Sequence, residues 1–224
     1  MKRKIIVFSP HADDESIGCG GTIMRLAEAG EEVTWVLFTD PKVEFGYTKI
    51  FVDDRQKQHK FVIRELGIKN LINFAYEPSS LGDVSTASLV SQVREVLKNI
   101  KPYKVFLPFR HDAHSDHKVV FDCAMAACKP FRNKSIQEIN VYETISETEF
   151  NFDPNAHAFR PNLFVDISAY LDKKLAVASI YENEFSVHPF PRSIDNLKAL
   201  ALNRGATAGV RYAESFIKIW ELIQ

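Results

Sequence analysis

Ile5-Ile6-Val7-Phe8 passes without a linker into Ser9-Pro10-His11-Ala12-Asp13-Asp14-Glu15. Four apolar residues stopped by Ser-Pro read as a short buried strand, which puts the polar cluster at its carboxyl end. Three consecutive carboxylates beside an imidazole repel one another there unless a cation or a proton is shared among them. A divalent metal ion is the economical explanation. Taken alone, an Asp-Asp-Glu run is more often a solvated helix start that complements the helix dipole.

Outward from this stretch the same alternation repeats. Strand-like runs at 4–8, 33–38, 70–74, 104–108 and 138–142 are separated by helix-period segments, the pattern of a parallel sheet with crossover helices. Leu89, Val90, Val93, Val96, Leu97 and Ile100 form one amphipathic stripe. Val119, Val120, Cys123, Ala124 and Ala127 form another for a helix beginning near Ser115, and Leu171, Leu175 and Ala178 a third after Ser168, the expected N-cap. Phe216–Trp220 reads as a strand or a helix end. Residues 42–54, 144–161 and 183–193 read as loops that would set specificity, the second covering the site. The expectation is a single α/β domain over 1–224, with a Rossmann-like, mostly parallel sheet and helices on both faces.

Arg110-His111-Asp112-Ala113-His114-Ser115-Asp116-His117 follows the run 104–108 as the first cluster follows 4–8. His114 and His117, three apart at a helix start, can direct their rings to nearby places. In a doubly wound sheet the first strand and the strand entered after reversal are neighbours, and ligands bind beyond their carboxyl ends. Both clusters then line one crevice.

The His-x-Asp-Asp-Glu motif with the later His-x-Asp-His resembles the LmbE and PIG-L family of zinc-dependent de-N-acetylases. Pro161–Ser168 with Asp172-Lys173-Lys174, Arg204-Gly205 and Tyr212–Phe216 are also similar to family blocks, so the resemblance runs nearly the full length. Ala12 and Ser115 stand where the family usually has proline, Gln58 where it commonly has glutamate, and no glycine is evident at Thr39-Asp40-Pro41. The resemblance implies an LmbE-like fold and removal of acetyl groups from N-acetylglucosamine units on small-molecule conjugates. It implies that His11, Asp14 and His117 bind zinc and leave a fourth position for water. Asp13 would be the general base, His114 in its protonated form would stabilise the oxyanion, and Asp116 would orient that imidazole and favour its charge. Arg55 would meet the substrate sugar, and Asp112 would hydrogen-bond within the site. Three N/O ligands with an open position are indeed the arrangement of catalytic zinc, although the same ligands also accept iron or cobalt.

Three other features are read without the family. Glu15 is expected to cap the first helix or to orient a ligand. His188 and Arg192, in a polar loop, are expected to contact the distal part of a substrate. His59, His111 and His157 receive no role.

The 28 basic and 29 acidic residues leave a net charge of −1, no electrostatic footprint for nucleic acid or an anionic membrane. No run approaches the roughly 18 apolar residues of a membrane span, and the apolar run after Lys2-Arg3-Lys4 is too short for a secretory signal. Cys19, Cys123 and Cys128 lack CxxC spacing and read as buried hydrophobes. A cytoplasmic protein is expected, and a homo-oligomer stays open. Two rivals remain: a non-catalytic metal- or sugar-binding protein of the same fold, and a dinucleotide-binding module suggested by Gly18-Cys19-Gly20-Gly21 and Asp40. The second fails in detail, because Ile23 stands at the third fingerprint position and the glycines lie well beyond the strand. They fit close packing of the first helix on the sheet instead.

Overall fold

The computed structural model describes residues 2–153 and 157–223. Residues 154–156, inside the expected loop 144–161, lie outside the described residues. The chain runs β1 (Lys4–Ser9), α1 (Asp14–Glu28), β2 (Glu32–Thr39), α2 (Lys49–Leu66), β3 (Asn70–Tyr76), α3 (Thr86–Ile100), β4 (Lys104–Pro108), α4 (Ser115–Ala127), β5 (Glu138–Tyr142), β6 (Leu163–Asp166), α5 (Leu171–Ala178), α6 (Ile194–Ala208) and β7 (Ala213–Glu221).

The strands form one sheet in the order β3-β2-β1-β4-β5-β7-β6. The pairs from β3 to β5 are parallel, and β7 is antiparallel to both β5 and β6. The mostly parallel α/β architecture thus stands, with the expected reversal: β1 pairs directly with β4, Ile5 opposite Lys104 and Val7 opposite Phe106. Ile6, Phe8, Val105 and Leu107 pack against α3 and α4 on one face of the sheet, while Ile5, Val7 and Phe106 pack against α1 and α2 on the other. β1 is therefore apolar on both sides, as a central parallel strand must be.

Helix α1 lies close to its neighbours because of its glycines. A methyl group on Gly18 would come within 2.4 Å of the Tyr142 ring, and one on Gly21 within 2.6 Å of Ile167. Close approach, not phosphate binding, explains the Gly-rich stretch.

Several local expectations are corrected. The stretch 42–54 is not all loop, since α2 begins at Lys49 with Thr48 accepting from the Phe51 N–H. Its buried stripe is Arg55, His59, Val62 and Leu66, so two polar side chains face the core and hide the apolar period. In α6 the buried positions are Leu197, Ala201 and Gly205, and small residues give as faint a signal. Ser168 does not cap α5: that helix starts at Leu171, and Ser168 Oγ donates to Asp166 and accepts from the Tyr212 N–H. The 216–220 run is strand, within β7.

Candidate metal centre and active site

β1 and β4 end side by side, and the two polar clusters meet beyond them. Asp14 opens α1 and His117 lies in the first turn of α4; both are fully buried. His11 Nδ1 lies 3.5 Å from Asp14 Oδ2, and His117 Nε2 lies 3.4 Å from Asp14 Oδ1. Ligand atoms of these three residues fall within 4.8 Å of one another. His117 Nε2 and Asp14 Oδ1 are buried without a hydrogen-bond partner. Orphaned buried polar atoms are costly, and here they point at a shared ion.

The outer atoms of both imidazoles are tied down. His117 Nδ1 donates to Asp112 Oδ2 at 2.7 Å, which leaves the Nε2 lone pair for a metal. His11 Nε2 donates to Asp116 Oδ2 at 3.1 Å, which frees Nδ1 in the same way. Asp112 is anchored in turn by Thr148 Oγ1 at 2.6 Å, and Asp116 by the Ser79 and Leu81 N–H groups. His11, His114 and Asp116 form an alternative ligand group. It competes poorly, because Asp116 Oδ2 already accepts from Ser79 and His114 Nδ1 accepts from the Asp116 N–H.

Electrostatics support a cation. Although burial opposes it, the Asp116 and Asp14 carboxylates raise the His11 pKa to about 10. Burial likewise opposes ionisation of Asp14, yet His117 and His11 hold its pKa well below the usual range. Both shifts favour a positive charge beside the Asp14 carboxylate, the shared proton or cation that the sequence reading calls for.

Asp13 is 1% exposed, and its Oδ1 has no partner. Its Oδ2 accepts from Arg192 Nη1 at 2.5 Å. Arg192 also donates through Nε to Ser146 Oγ at 2.6 Å and through Nη2 to Glu147 Oε1 at 3.2 Å. Burial raises the Asp13 pKa while the Arg192 charge opposes the rise. Arg192 lines the cavity and is bound there to the expected base. His188, from the same loop, is exposed and absent from the cavity wall. Arg55 does reach the cavity, but its guanidinium is engaged: Nη1 donates to Ala12 O at 2.9 Å and Nη2 to Glu184 Oε1 at 2.7 Å.

The expected pairing of Asp116 with His114 is also corrected. The Asp116 carboxylate holds His11, and its backbone N–H, not its side chain, orients His114 at Nδ1. Burial, then the neighbouring His11 and His117 charges, lower the His114 pKa to about 4. The ring is therefore neutral near pH 7, with its proton on Nε2, 3.4 Å from Ser79 Oγ. Glu15 caps the start of α1 from within its first turn, reaching back to the N-cap residue Asp13. It accepts from the Asp13 N–H at 3.2 Å and from Ser16 and Tyr181 hydroxyls, and burial pushes its pKa up to about 8.

The site opens into a cavity of about 400 Å³ lined by His11, Asp13, Arg55, His114 and Arg192, with Tyr47, Phe51, Glu147, Glu184 and Phe190. The last five carried no motif in the sequence. A larger cavity of about 770 Å³ beside α6 includes none of the expected site residues.

Behind this cavity, His59 is buried against Trp35, with Nε2 3.6 Å from Asp40 Oδ1. Burial first, then the Arg55 charge, lower its pKa from 6.5 to about 4. The unfolded chain binds this proton more readily, so His59 favours folding fully above pH 6.5 and loses that contribution as the pH falls toward 4. Urea unfolding is expected to show His59→Phe flattening the loss of stability between pH 6.5 and 4. An unchanged pH dependence in that variant would exclude His59 as the source.

Residues 6–128, more than half of the chain, match the family model described as PIG-L: GlcNAc-PI de-N-acetylase. This chain belongs to that family. Among PIG-L relatives, the diacetylchitobiose deacetylase of Thermococcus kodakarensis is 25% identical over 95% of this chain and 81% of its own. The probable N-acetyl-alpha-D-glucosaminyl L-malate deacetylase 2 of Bacillus cereus is 23% identical over 82% of this chain and 84% of its own. The crystal structure of the conserved protein TT1542 from Thermus thermophilus superposes with a TM-score of 0.78, at 27% identity over 98% of this chain and 96% of that one. PIG-L membership and these relatives place the chain among the N-deacetylases. Among the described residues no helix is long and apolar enough to cross a membrane.

Proposed function

We propose that one domain spanning 1–224 hydrolyses the acetamide of an N-acetylglucosamine-type conjugate with one zinc ion held by His11, Asp14 and His117. The observation that carries this reading is the convergence of the unpartnered His117 Nε2 and Asp14 Oδ1 on His11 Nδ1, beside a free Asp13 oxygen. An ion in that place supplies Lewis acidity, polarising the acetyl carbonyl and making water nucleophilic near neutral pH.

The chain's own residues do the rest. Asp13 Oδ1 accepts the proton of the attacking water and returns it to the departing amine. Arg192 fixes the other oxygen, so the carboxylate presents one atom in one direction. His114, neutral, donates from Nε2 to the oxygen that gains charge as the carbonyl is attacked. Asp112 and Asp116 hold the two ligand imidazoles in the required tautomers. The three cysteines are free and buried, which suits a reducing cytoplasm.

Acetate release from N-acetylglucosaminides tests the reading. Activity is expected to disappear on chelation and to return on addition of about one equivalent of zinc per chain. Full activity after the metal has been stripped, verified by elemental analysis, would reject it.

A further inference from the structure

We infer that this protein binds a nucleoside polyphosphate in a basic hollow at the opposite end of the sheet from the metal centre. The inference is independent of the deacetylase reading.

The hollow, of about 700 Å³, lies between the second half of α3 and the turn that joins α4 to β5. Helix α3 leads into the amino end of β4 and the turn into the amino end of β5, whereas the catalytic clusters stand beyond the carboxyl ends of β1 and β4. Leu97, 1% exposed, forms its floor. The turn is held in place by its own hydrogen bonds: the Arg132 and Asn133 N–H groups donate to Lys129 O, the Ile136 N–H to Asn133 O, and Asn133 Nδ2 to Ala127 O.

Charge is the first observation. The charged side chains on the wall are Arg94, Glu95, Lys98, Lys101, Arg132 and Lys134, all exposed, five cations to one carboxylate. Glu95 lies 3.9 Å from Lys98, and the other four cations have no acidic partner among the described residues. Lys98 and Lys101 alone would be accounted for by the carbonyls at the end of α3. Arg132 and Lys134 come from a different element, and like charges gathered around a hollow repel unless an anion joins them. With 28 basic and 29 acidic residues in the chain, net charge hides such a local excess.

The second observation is an aromatic ring in the same wall. Phe131 is 72% exposed, and the Arg132 guanidinium packs over it, 5.2 Å from the ring centre. A base stacks on an exposed aromatic ring, while fixed cations hold a run of phosphates. Shape selects among polyanions. A hollow of this volume encloses a small molecule, which a flat membrane surface would not fill. A single nucleic-acid strand needs a succession of stacking rings, where this wall offers Phe131 alone.

Calorimetry on the metal-loaded protein at about 0.15 M salt tests the site. The probes are magnesium-saturated ATP and UTP, inorganic tripolyphosphate, a thymidine oligonucleotide, and vesicles of equal parts phosphatidylserine and phosphatidylcholine. At least one nucleotide is expected to bind with a Kd below about 0.1 mM, and to lose about tenfold or more in Arg94→Glu and in Lys134→Glu. Phe131→Ala is expected to bring that nucleotide down to the affinity of tripolyphosphate, a loss of about fivefold or more. All three side chains are exposed, so the melting temperature should hold level. Binding that survives both charge reversals lies elsewhere and overturns the inference, as does absence of binding by both nucleotides at about 1 mM. Tripolyphosphate equal to the nucleotides in the parent protein also overturns it. So does tighter binding of the oligonucleotide or the vesicles that the same charge reversals abolish, which would assign the hollow to nucleic acid or to a membrane.

Discussion

Asp13→Asn is expected to keep its metal and to lose acetate release by about 10²–10⁴-fold, the usual worth of a positioned general base. Asparagine matches the shape of the carboxylate but cannot accept the proton of the attacking water. Asp13 Oδ1 is the buried oxygen without a partner, whereas Oδ2 is occupied by Arg192 at 2.5 Å. Neither residue group that could hold an ion includes it, so zinc content should stay level. Steady-state rates beside elemental analysis make the comparison. Activity within a few-fold of the parent would remove Asp13 from the reaction; loss of metal would make it a ligand instead.

Lys174→Met is expected to destabilise the fold by about 3–5 kcal/mol, the cost of stranding one member of a buried ion pair. Lys174 and Glu214 are 3% and 4% exposed. The Lys174 ammonium donates to Glu214 Oε1 and to Ile17 O, both at 2.6 Å, and the carboxylate accepts from the Gly21 and Thr22 N–H groups of α1. This pair therefore fastens the helix that begins with Asp14 to α5 and β7. Urea denaturation should show the loss, with Tm falling by roughly 10 °C. The double variant Lys174→Met/Glu214→Leu should lose less than the two single changes together, because neither charge is then left alone. A single variant within about 1 kcal/mol of the parent would show that the pair contributes little.

How much of this was legible in the sequence depended on whether the signal was local. The β1 and β4 runs, the α3 stripe and the start of α4 at Ser115 all showed, because their apolar periods are uninterrupted. Helix α2 did not show, since Arg55 and His59 occupy its core-facing stripe, and α6 was masked by Ala201 and Gly205. The trio that could hold an ion came from the family resemblance, and the structure brings His11, Asp14 and His117 together where β1 and β4 end side by side.

The pairing of the remaining side chains did not show. Asp116 stands two residues from His114, yet its carboxylate goes to His11, 105 residues away, because α4 enters beside the end of β1. Arg192 reads as a rim residue until the chain returns it to Asp13, 179 residues earlier.

By itself the sequence determined β1 to β5 and the crevice, because strand period and strand-end position are properties of short segments, whereas it does not place β6 and leaves β7 open between strand and helix end. Tertiary structure alone decided which oxygen of Asp13 is free, which imidazole Asp116 steadies, and that both cavity arginines are already neutralised. Such contacts join segments more than a hundred residues apart, and only packing selects among the partners that equal charges would allow.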